Sequence, residues 1–225
     1  MGRFVYTRFN YTTGDAAGQN MTSKATWAAC EWIKGQYDDL QDYMLEAQLA
    51  TDKKHSHMNT LHTRGKRVVA EVTISDELLQ KHMRVTTKQV YRARQIGTVG
   101  GFLAGTAANA AHPANGIAAL YIATGQDAGN VAESQAAMVY VELRENDDYY
   151  YSITLPSLIV ATHGGGTGLA TQRECLELMD CFGSGKAHKF AEIVAATVAC
   201  GELSLGSAVV ADEFVAAHDK YGRNR

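Results

Sequence analysis

Two charged residues, far apart in the chain, have the types and settings that catalytic side chains occupy. Lys53 lies in the polar segment 51–54, TDKK, where a neighbouring lysine lowers the pKa of an ammonium group and a neighbouring acid holds it charged. Asp127 comes two residues after Gly125, which is placed to end a helix. A carboxylate in that setting is costly unless it has a partner or a task. For the lysine segment taken alone, a solvated loop is the stronger interpretation.

Three histidines are weaker candidates. His55 and His57 form an HxH pair that could bind a metal. No cysteine or third ligand accompanies this pair, so we predict no metal site. His218 lies near the end of the last predicted helix, where the negative end of the helix dipole favours the imidazolium form. Most histidines in such a position are plain surface residues.

Two glycine-containing turns are candidates for backbone contact with a ligand. DAAGQN at 15–20 follows a predicted strand and opens a helix, so its free N–H groups suit an anion or a cofactor. Its spacing is not that of a dinucleotide fingerprint. His163 precedes three glycines at 164–166, more than a turn needs, which favours close approach of a phosphate or a ring. The GSGK sequence at 183–186 lacks the other residues of a phosphate loop and is not interpreted as one.

The stretch 97–131 is predicted to form a long buried helix around which the fold is organised. It is poor in charge, and its small residues recur at three- and four-residue spacing, which lets neighbouring elements approach closely. A membrane span is the competing interpretation. It is disfavoured because polar residues and a proline interrupt the apolar run. The interrupting residues are Asn109, His112, Pro113 and Asn115.

Hydrophobic periodicity and turn residues locate the other elements. Strands are predicted at 4–11, 44–49, 67–74, 138–143, 149–155 and 158–162. Helices are predicted at about 15–35, after a cap at Ser75, from about 86, and as two or three segments over 171–221.

Composition limits the class of protein. The chain has 225 residues and a formal charge of -3, so it is long enough to bury a core and lacks the basic character of a nucleic-acid binder. Its four cysteines have no ligand-like spacing and no signal peptide precedes them, so we interpret them as free thiols in a reducing compartment. We therefore expect a cytoplasmic, globular protein.

Taken together, these segments resemble the catalytic domain of 3-hydroxy-3-methylglutaryl-coenzyme A (HMG-CoA) reductase of the eukaryotic type. Residues 14–21 match the family's cofactor motif DAMGxNM, and 163–167 match its GTVGGGT motif. TDKK, RGK, GQDA, GELS and a C-terminal His218 occur in the family's order. The resemblance implies an α+β fold with a large domain built around a long buried central helix. Residues 1–50 would be part of a small ferredoxin-like NADP-binding domain, and 51–225 the large HMG-CoA-binding, catalytic domain with C-terminal helices.

The resemblance also implies an activity, the NADPH-dependent reduction of HMG-CoA to mevalonate and CoA by a homodimer or higher homo-oligomer. The implied catalytic residues are Lys53, which faces the reacting carbonyl oxygen, Asp127, which holds the lysine, and His218, which protonates the departing thiolate. The implied cofactor-binding residues are Asp15, Gly18, Gln19, Asn20, Gly164, Gly165 and Gly166. The implied substrate-binding residues are Asp52, Lys54, Asn115 in the lysine–aspartate network, and His112 near CoA.

Several family features have no counterpart in this sequence. These are the dimer-forming ENVIG segment, the TTEG segment with its proton-donating glutamate, and the first strand and helix of the small domain. A fragment, a split gene with a separate N-terminal half, and a misassigned start are all compatible with this pattern. His163 replaces a valine, and Gln95 lies near the place of a substrate-binding lysine. The alternative function is a catalytically incomplete binding or interaction module that keeps the fold.

Overall fold

Residues 2–222 are described by a computed structural model, and in that part of the chain we find three strands, nine α-helices and two short 3₁₀ helices. The strands are β1 (Lys66–Ile74), β2 (Met138–Leu143) and β3 (Tyr149–Leu158). The helices are α1 (Gln19–Lys34), α2 (His57–His62), α3 (Asp76–Met83), α4 (Thr87–Leu103), α5 (Pro113–Thr124), α6 (Val131–Ser134), α7 (Ala170–Leu178), α8 (Ala187–Val210) and α9 (Glu213–Tyr221). The predicted α+β class is confirmed. The outermost ends of the two predicted domains lie outside the described residues, and the boundary near residue 50 stays a prediction.

The sheet is antiparallel, and β3 lies between β1 and β2. Val69 of β1 and Met138 of β2 both pair with Thr154 of β3, which fixes the register of the two edge strands. A tight turn joins β2 to β3, and Asp147 in that turn adopts φ +62°. This hairpin is the one predicted from the alternating residues and the Glu-Asn-Asp turn.

Helix α8 lies at the centre of the hydrophobic core. It packs against β1, β3, α4 and α5. Side chains with no measurable exposure come from α8, α5 and β3, and they are Phe190, Val194, Val198, Ile117, Ile153 and Leu155. By length and composition alone, α8 could also cross a membrane. Its contacts with the sheet and two helices are those of a core helix.

The single helix predicted over 97–131 is wrong, because two helices with a break between them occupy this stretch. Helix α4 ends at Leu103, and Gly105 then adopts a left-handed conformation with φ +72°. Pro113 occupies the first position of α5, where its missing N–H costs nothing. The predicted helix end at Gly125 is confirmed, with φ +70°. The long central helix of the fold is therefore α8.

Among the other predicted elements, those indicated by neighbouring residues alone are confirmed, and three predicted strands are wrong. The predicted cap at Ser75 is confirmed, since its hydroxyl accepts a hydrogen bond from the N–H of Leu78 at the start of α3. The C-terminal helices are confirmed as α7, α8 and α9. The strands predicted at 4–11, 44–49 and 158–162 are wrong: the first two ranges contain no strand, and β3 ends where the third begins. A strand needs a partner in a sheet, and alternation alone does not supply one.

Candidate active site

Lys53 and Asp127 form an ion pair, with 2.8 Å between Nζ and Oδ2. The hydrogen bond between them raises the pKa of the Lys53 ammonium and lowers the pKa of the Asp127 carboxyl. The two side chains are 44% and 38% exposed, so a ligand can reach them from solvent. The structure therefore places a charged ammonium group, steadied by a carboxylate, at the protein surface.

A short 3₁₀ turn after α5 aims Asp127 at the lysine. The Asp127 carboxylate accepts a hydrogen bond from the N–H of Gly129 at 2.9 Å, which fixes the side chain at the start of the turn. A Cβ on Gly129 would lie only 2.8 Å from Cδ of Lys53. Glycine at this position therefore leaves the space that the lysine alkyl chain occupies.

The triple-glycine loop packs against the end of α5, two residues before Asp127. A Cβ on Gly125 would clash with the main-chain oxygen of Gly166, and a Cβ on Gly166 would lie 2.6 Å from the oxygen of Gly125. The two backbones touch, so neither position has room for a side chain. Gly164 and Gly165 are exposed, with φ of +81° and +56°, and Gly165 has open space around it. This loop presents approachable backbone next to the lysine–aspartate pair.

The predicted cofactor turn lies beside the glycine loop. The main-chain oxygen of Asp15 accepts hydrogen bonds from Thr162 and His163 at 2.8 and 3.2 Å. The Asp15 carboxylate accepts from the N–H groups of Gly185 and Ala187 at the start of α8, and these bonds lower its pKa. The side chain predicted to bind the cofactor thus holds the start of the core helix against this turn.

The other residues of the cofactor turn divide into buried and accessible ones. Gly18 is buried with φ +81°, and a Cβ there would clash with the Thr13 side chain. The Gln19 amide donates to Asp52 at 2.9 Å and to Asn130 at 3.1 Å, so it links the turn to the lysine segment. Asn20 is exposed in the first turn of α1.

A buried glutamate that sequence reasoning missed lies under the lysine segment. Glu133 of α6 is 1% exposed, and its carboxylate pairs with the guanidinium of Arg64. It also accepts hydrogen bonds from the main-chain N–H of Lys53 at 3.1 Å and the Asn59 amide at 3.4 Å. Burial raises the pKa of Glu133, and Arg64 opposes that rise. A lone charge in the otherwise uncharged stretch 128–141 was the available signal.

Arg64 connects this glutamate to a predicted substrate residue. Its second nitrogen pairs with the Asp52 carboxylate at 2.8 Å. Lys54 is exposed, and its Nζ donates to the main-chain oxygen of Asp52 at 2.9 Å. The Asp52 carboxylate is thus held by Arg64, whereas the ammonium of Lys54 remains accessible to a ligand.

Three predicted residues are not brought to Lys53 within one copy of the chain. Asn115 is exposed in the first turn of α5, roughly 15 Å along the helix from Gly125. The His112 ring packs against Gly201 of α8, and its main-chain N–H donates to the buried Glu202. His218 interacts within α9, with Nδ1 2.7 Å from the Phe214 oxygen. Their predicted roles stay predictions.

Comparison with known proteins decides the family. The model of the hydroxymethylglutaryl-coenzyme A reductase family matches residues 1–223. The chain belongs to the HMG-CoA reductase family. It is 39% identical to the 3-hydroxy-3-methylglutaryl-coenzyme A reductase of Methanocaldococcus jannaschii and 41% identical to that of Aeropyrum pernix. It is 37% identical to reductase 2 of Arabidopsis thaliana.

The matches cover nearly all of this chain but only part of each relative. Each alignment spans 99% of this chain, against 56% of the Methanocaldococcus protein, 54% of the Aeropyrum protein and 41% of the Arabidopsis protein. The chain thus spans about half the length of the archaeal reductases that it matches. Within that half, the lysine, the aspartate and both glycine segments predicted from the family motifs lie in one connected region.

Proposed function

We propose that this chain carries the lysine–aspartate part of the active site of an NADPH-dependent HMG-CoA reductase. The product would be mevalonate, with release of free CoA and oxidation of two molecules of NADPH. The observation that carries the proposal is the Lys53–Asp127 ion pair beside the triple-glycine loop, in a chain of this family.

The ion pair suits a reaction in which negative charge develops on a carbonyl oxygen. Hydride addition to a thioester, and then to an aldehyde, places that charge on the oxygen each time. The raised pKa of Lys53 keeps its ammonium protonated at neutral pH, so it can donate a hydrogen bond to the oxygen. A preorganised donor of this kind contributes about 2.7–4 kcal/mol to the stability of the transition state. Asp127 fixes where the ammonium points.

The two glycine segments fit a nicotinamide cofactor. Gly164 and Gly165 present open backbone, and the exposed Asn20 lies in the neighbouring segment. We propose that these three residues contact NADPH, while Asp15 and Gln19 hold the surrounding loops in place. NADPH, when bound, supplies the hydride. The chain's own contribution is to place a reducible carbonyl between these glycines and the Lys53 ammonium.

For the remaining predicted residues we propose a site shared between copies of the chain. Asp52 and Lys54 are next to Lys53 and suit the carboxylate and hydroxyl of a hydroxymethylglutaryl group. His112, Asn115 and His218 lie elsewhere in the single chain, and a second copy could bring their equivalents to this lysine. We therefore propose a homo-oligomer, with the proton-donating glutamate supplied by an N-terminal half.

The four free cysteines are consistent with the predicted cytoplasmic location.

Replacing the lysine tests the proposed chemistry directly. In the full natural protein, or with the N-terminal half of a reductase supplied, we expect NADPH oxidation that depends on HMG-CoA. Lys53→Met should lower kcat by about 10²–10³-fold because it removes the donor to the developing oxyanion. The measurement is the loss of NADPH absorbance with time, with and without HMG-CoA.

Two controls make the result interpretable. Lys53→Arg keeps the charge but changes the donor geometry, so we expect it to recover little of the lost rate. Thermal unfolding of each variant checks that the fold is intact. If a folded pair of halves shows no HMG-CoA-dependent oxidation, the proposal is wrong. Binding of NADPH and CoA without turnover would instead favour the incomplete binding module.

A further inference from the structure

We propose that Glu133 is a positioning residue for Lys53, holding its main chain in the one conformation that lets the ammonium meet Asp127. This inference rests on the proposed function for its catalytic consequence. Its structural content, the coupling of Glu133 to Lys53, stands on contacts within the chain and is tested separately from turnover.

The segment around Lys53 adopts a backbone conformation that is unfavourable without supporting contacts. Thr51 and Lys53 both adopt left-handed conformations, with φ of +58° and +56°. Residues other than glycine rarely adopt this backbone conformation, and they persist in it only where surrounding contacts stabilise it. The contacts around Lys53 therefore decide whether it keeps this conformation.

Glu133 makes the contact that fixes this conformation. Its carboxylate accepts the Lys53 N–H at 3.1 Å, although the two residues are 80 positions apart in the sequence. Asp127, six positions before Glu133, pairs with Nζ of the same lysine at 2.8 Å. One short segment therefore holds Lys53 at both its main chain and its side-chain tip, and Gly129 between them leaves room for the alkyl chain.

The glutamate is itself held by charge and hydrogen bonding. Arg64 pairs with both Glu133 and Asp52, so a single guanidinium joins the buried carboxylate to the lysine segment. Asn59 donates to Glu133 at 3.4 Å and to the Lys54 oxygen at 3.1 Å, and it accepts from the Thr51 hydroxyl at 2.6 Å. A buried carboxylate with this set of partners cannot move without moving the lysine.

Two measurements on this chain test the coupling without any need for catalytic turnover. They are hydrogen exchange of the Lys53 amide and titration of the Lys53 ammonium. We compare wild type with Glu133→Ala and Glu133→Gln, because the glutamine can still accept the Lys53 N–H. Exchange of the Lys53 amide should be about tenfold or more faster in Glu133→Ala, with Glu133→Gln between the two. In Glu133→Ala the titration midpoint of the Lys53 ammonium, followed by NMR, should fall toward the 10.5 of an unpaired lysine. Part of this fall comes from the lost charge of Glu133 itself, so the amide exchange decides the positioning role.

Glu202→Gln is the matched control, since it alters another buried glutamate paired with an arginine but without contact to segment 51–54. We expect it to leave the Lys53 amide and titration unchanged. In an active reductase, Glu133→Ala should lower kcat by up to about 10²-fold with little change in KM, and Glu133→Gln should recover part of that loss. If Glu133→Ala fails to fold, Glu133→Gln carries the test.

The two proposals fail in different ways. An unchanged Lys53 amide and an unchanged titration midpoint in a folded Glu133 variant would overturn the positioning role. Faster exchange of the Lys53 amide in Glu133→Ala, in a protein whose wild type shows no reductase turnover with the N-terminal half supplied, would support the positioning role and count against the proposed function.

Discussion

Glu133 and Glu202 are two buried glutamates that use the same chemistry for different ends. Each is at most 2% exposed, each pairs with an arginine, and each accepts main-chain N–H groups from a distant segment. Glu202 accepts from Ala111 and His112 just ahead of α5, and it pairs with Arg94 at 3.4 Å. Glu133 accepts instead from Lys53 in its left-handed conformation.

The difference shows which carboxylate serves the fold and which serves the site. Free N–H groups at the start of a helix attract a carboxylate in any helical protein, so Glu202 stabilises an ordinary helix start. Glu133 stabilises a conformation that no regular element requires. The two glutamates also lie near opposite ends of α5. This helix begins beside Glu202 and ends just before Asp127, which is six positions before Glu133.

The largest expected effect is on stability, at Glu202. Glu202→Ala leaves the half-buried guanidinium of Arg94 without its carboxylate partner, and it removes the acceptor of the Ala111 and His112 N–H groups. Breaking a buried pair by removing one partner costs about 3–5 kcal/mol. We expect the free energy of unfolding, measured by urea titration, to fall by that amount.

Two further variants check the origin of this loss. Glu202→Gln keeps an acceptor for the N–H groups and should cost less than Glu202→Ala. Replacing Arg94 together with Glu202 by apolar residues should recover part of the loss, because no buried charge then remains. If Glu202→Ala is as stable as wild type, the buried pair has no role in the fold.

The next expected effect is at the far end of α5. Gly125→Ala places a Cβ in a left-handed residue, which costs roughly 1–2 kcal/mol. It also pushes that Cβ into the main-chain oxygen of Gly166. We therefore expect at least that loss in the free energy of unfolding, with displacement of the glycine loop and weaker NADPH binding measured by calorimetry.

Gly100 in α4 is the matched control for Gly125. A Cβ there would meet nothing within 4 Å, and the residue lies inside a helix. Gly100→Ala should therefore stabilise the protein by about 0.5–1 kcal/mol. Equal effects of the two substitutions would show that the Gly125–Gly166 contact is not limiting.

The same glutamates mark the limit of what the sequence could predict. The β2–β3 hairpin, the Ser75 cap and the helix end at Gly125 depend on neighbouring residues, and they were predictable. The family motifs pointed to Lys53 and Asp127, although these lie 74 positions apart. Glu133 touches Lys53 from 80 positions away, and Arg64 from 69 positions away. Those contacts depend on tertiary packing, which no local pattern reports.

The strand errors have the same physical cause. Alternation at 4–11 and 44–49 is a local signal, but whether a strand forms depends on a partner edge elsewhere in the chain. The break between α4 and α5 was different, because Pro113 did mark it in the sequence. One long helix was predicted because the apolar run over 97–131 was given more weight than Pro113.

The smallest expected effect is a difference in pH dependence between Glu133 and Asp127. The pKa of Glu133 is raised above 4.5 in the fold, so the folded state binds more protons than the unfolded state just above that pH. Its contribution to stability therefore falls as the pH rises from 4.5 through the raised pKa. The pKa of Asp127 is lowered, so its contribution is present above 3.8 and is lost as the pH falls through the lowered value.

Urea unfolding of wild type, Glu133→Gln and Asp127→Asn over an acid pH series separates the two contributions. Relative to wild type, Glu133→Gln should gain stability as the pH rises above 4.5, because the neutral amide has no ionisation to suppress. Asp127→Asn should lose its disadvantage as the pH falls below 3.8, and its whole effect should be small because the pair is partly exposed. Opposite slopes would show that the fold raises the pKa of the buried Glu133 and lowers the pKa of the partly exposed Asp127. Parallel pH profiles for the two variants would contradict these opposite shifts.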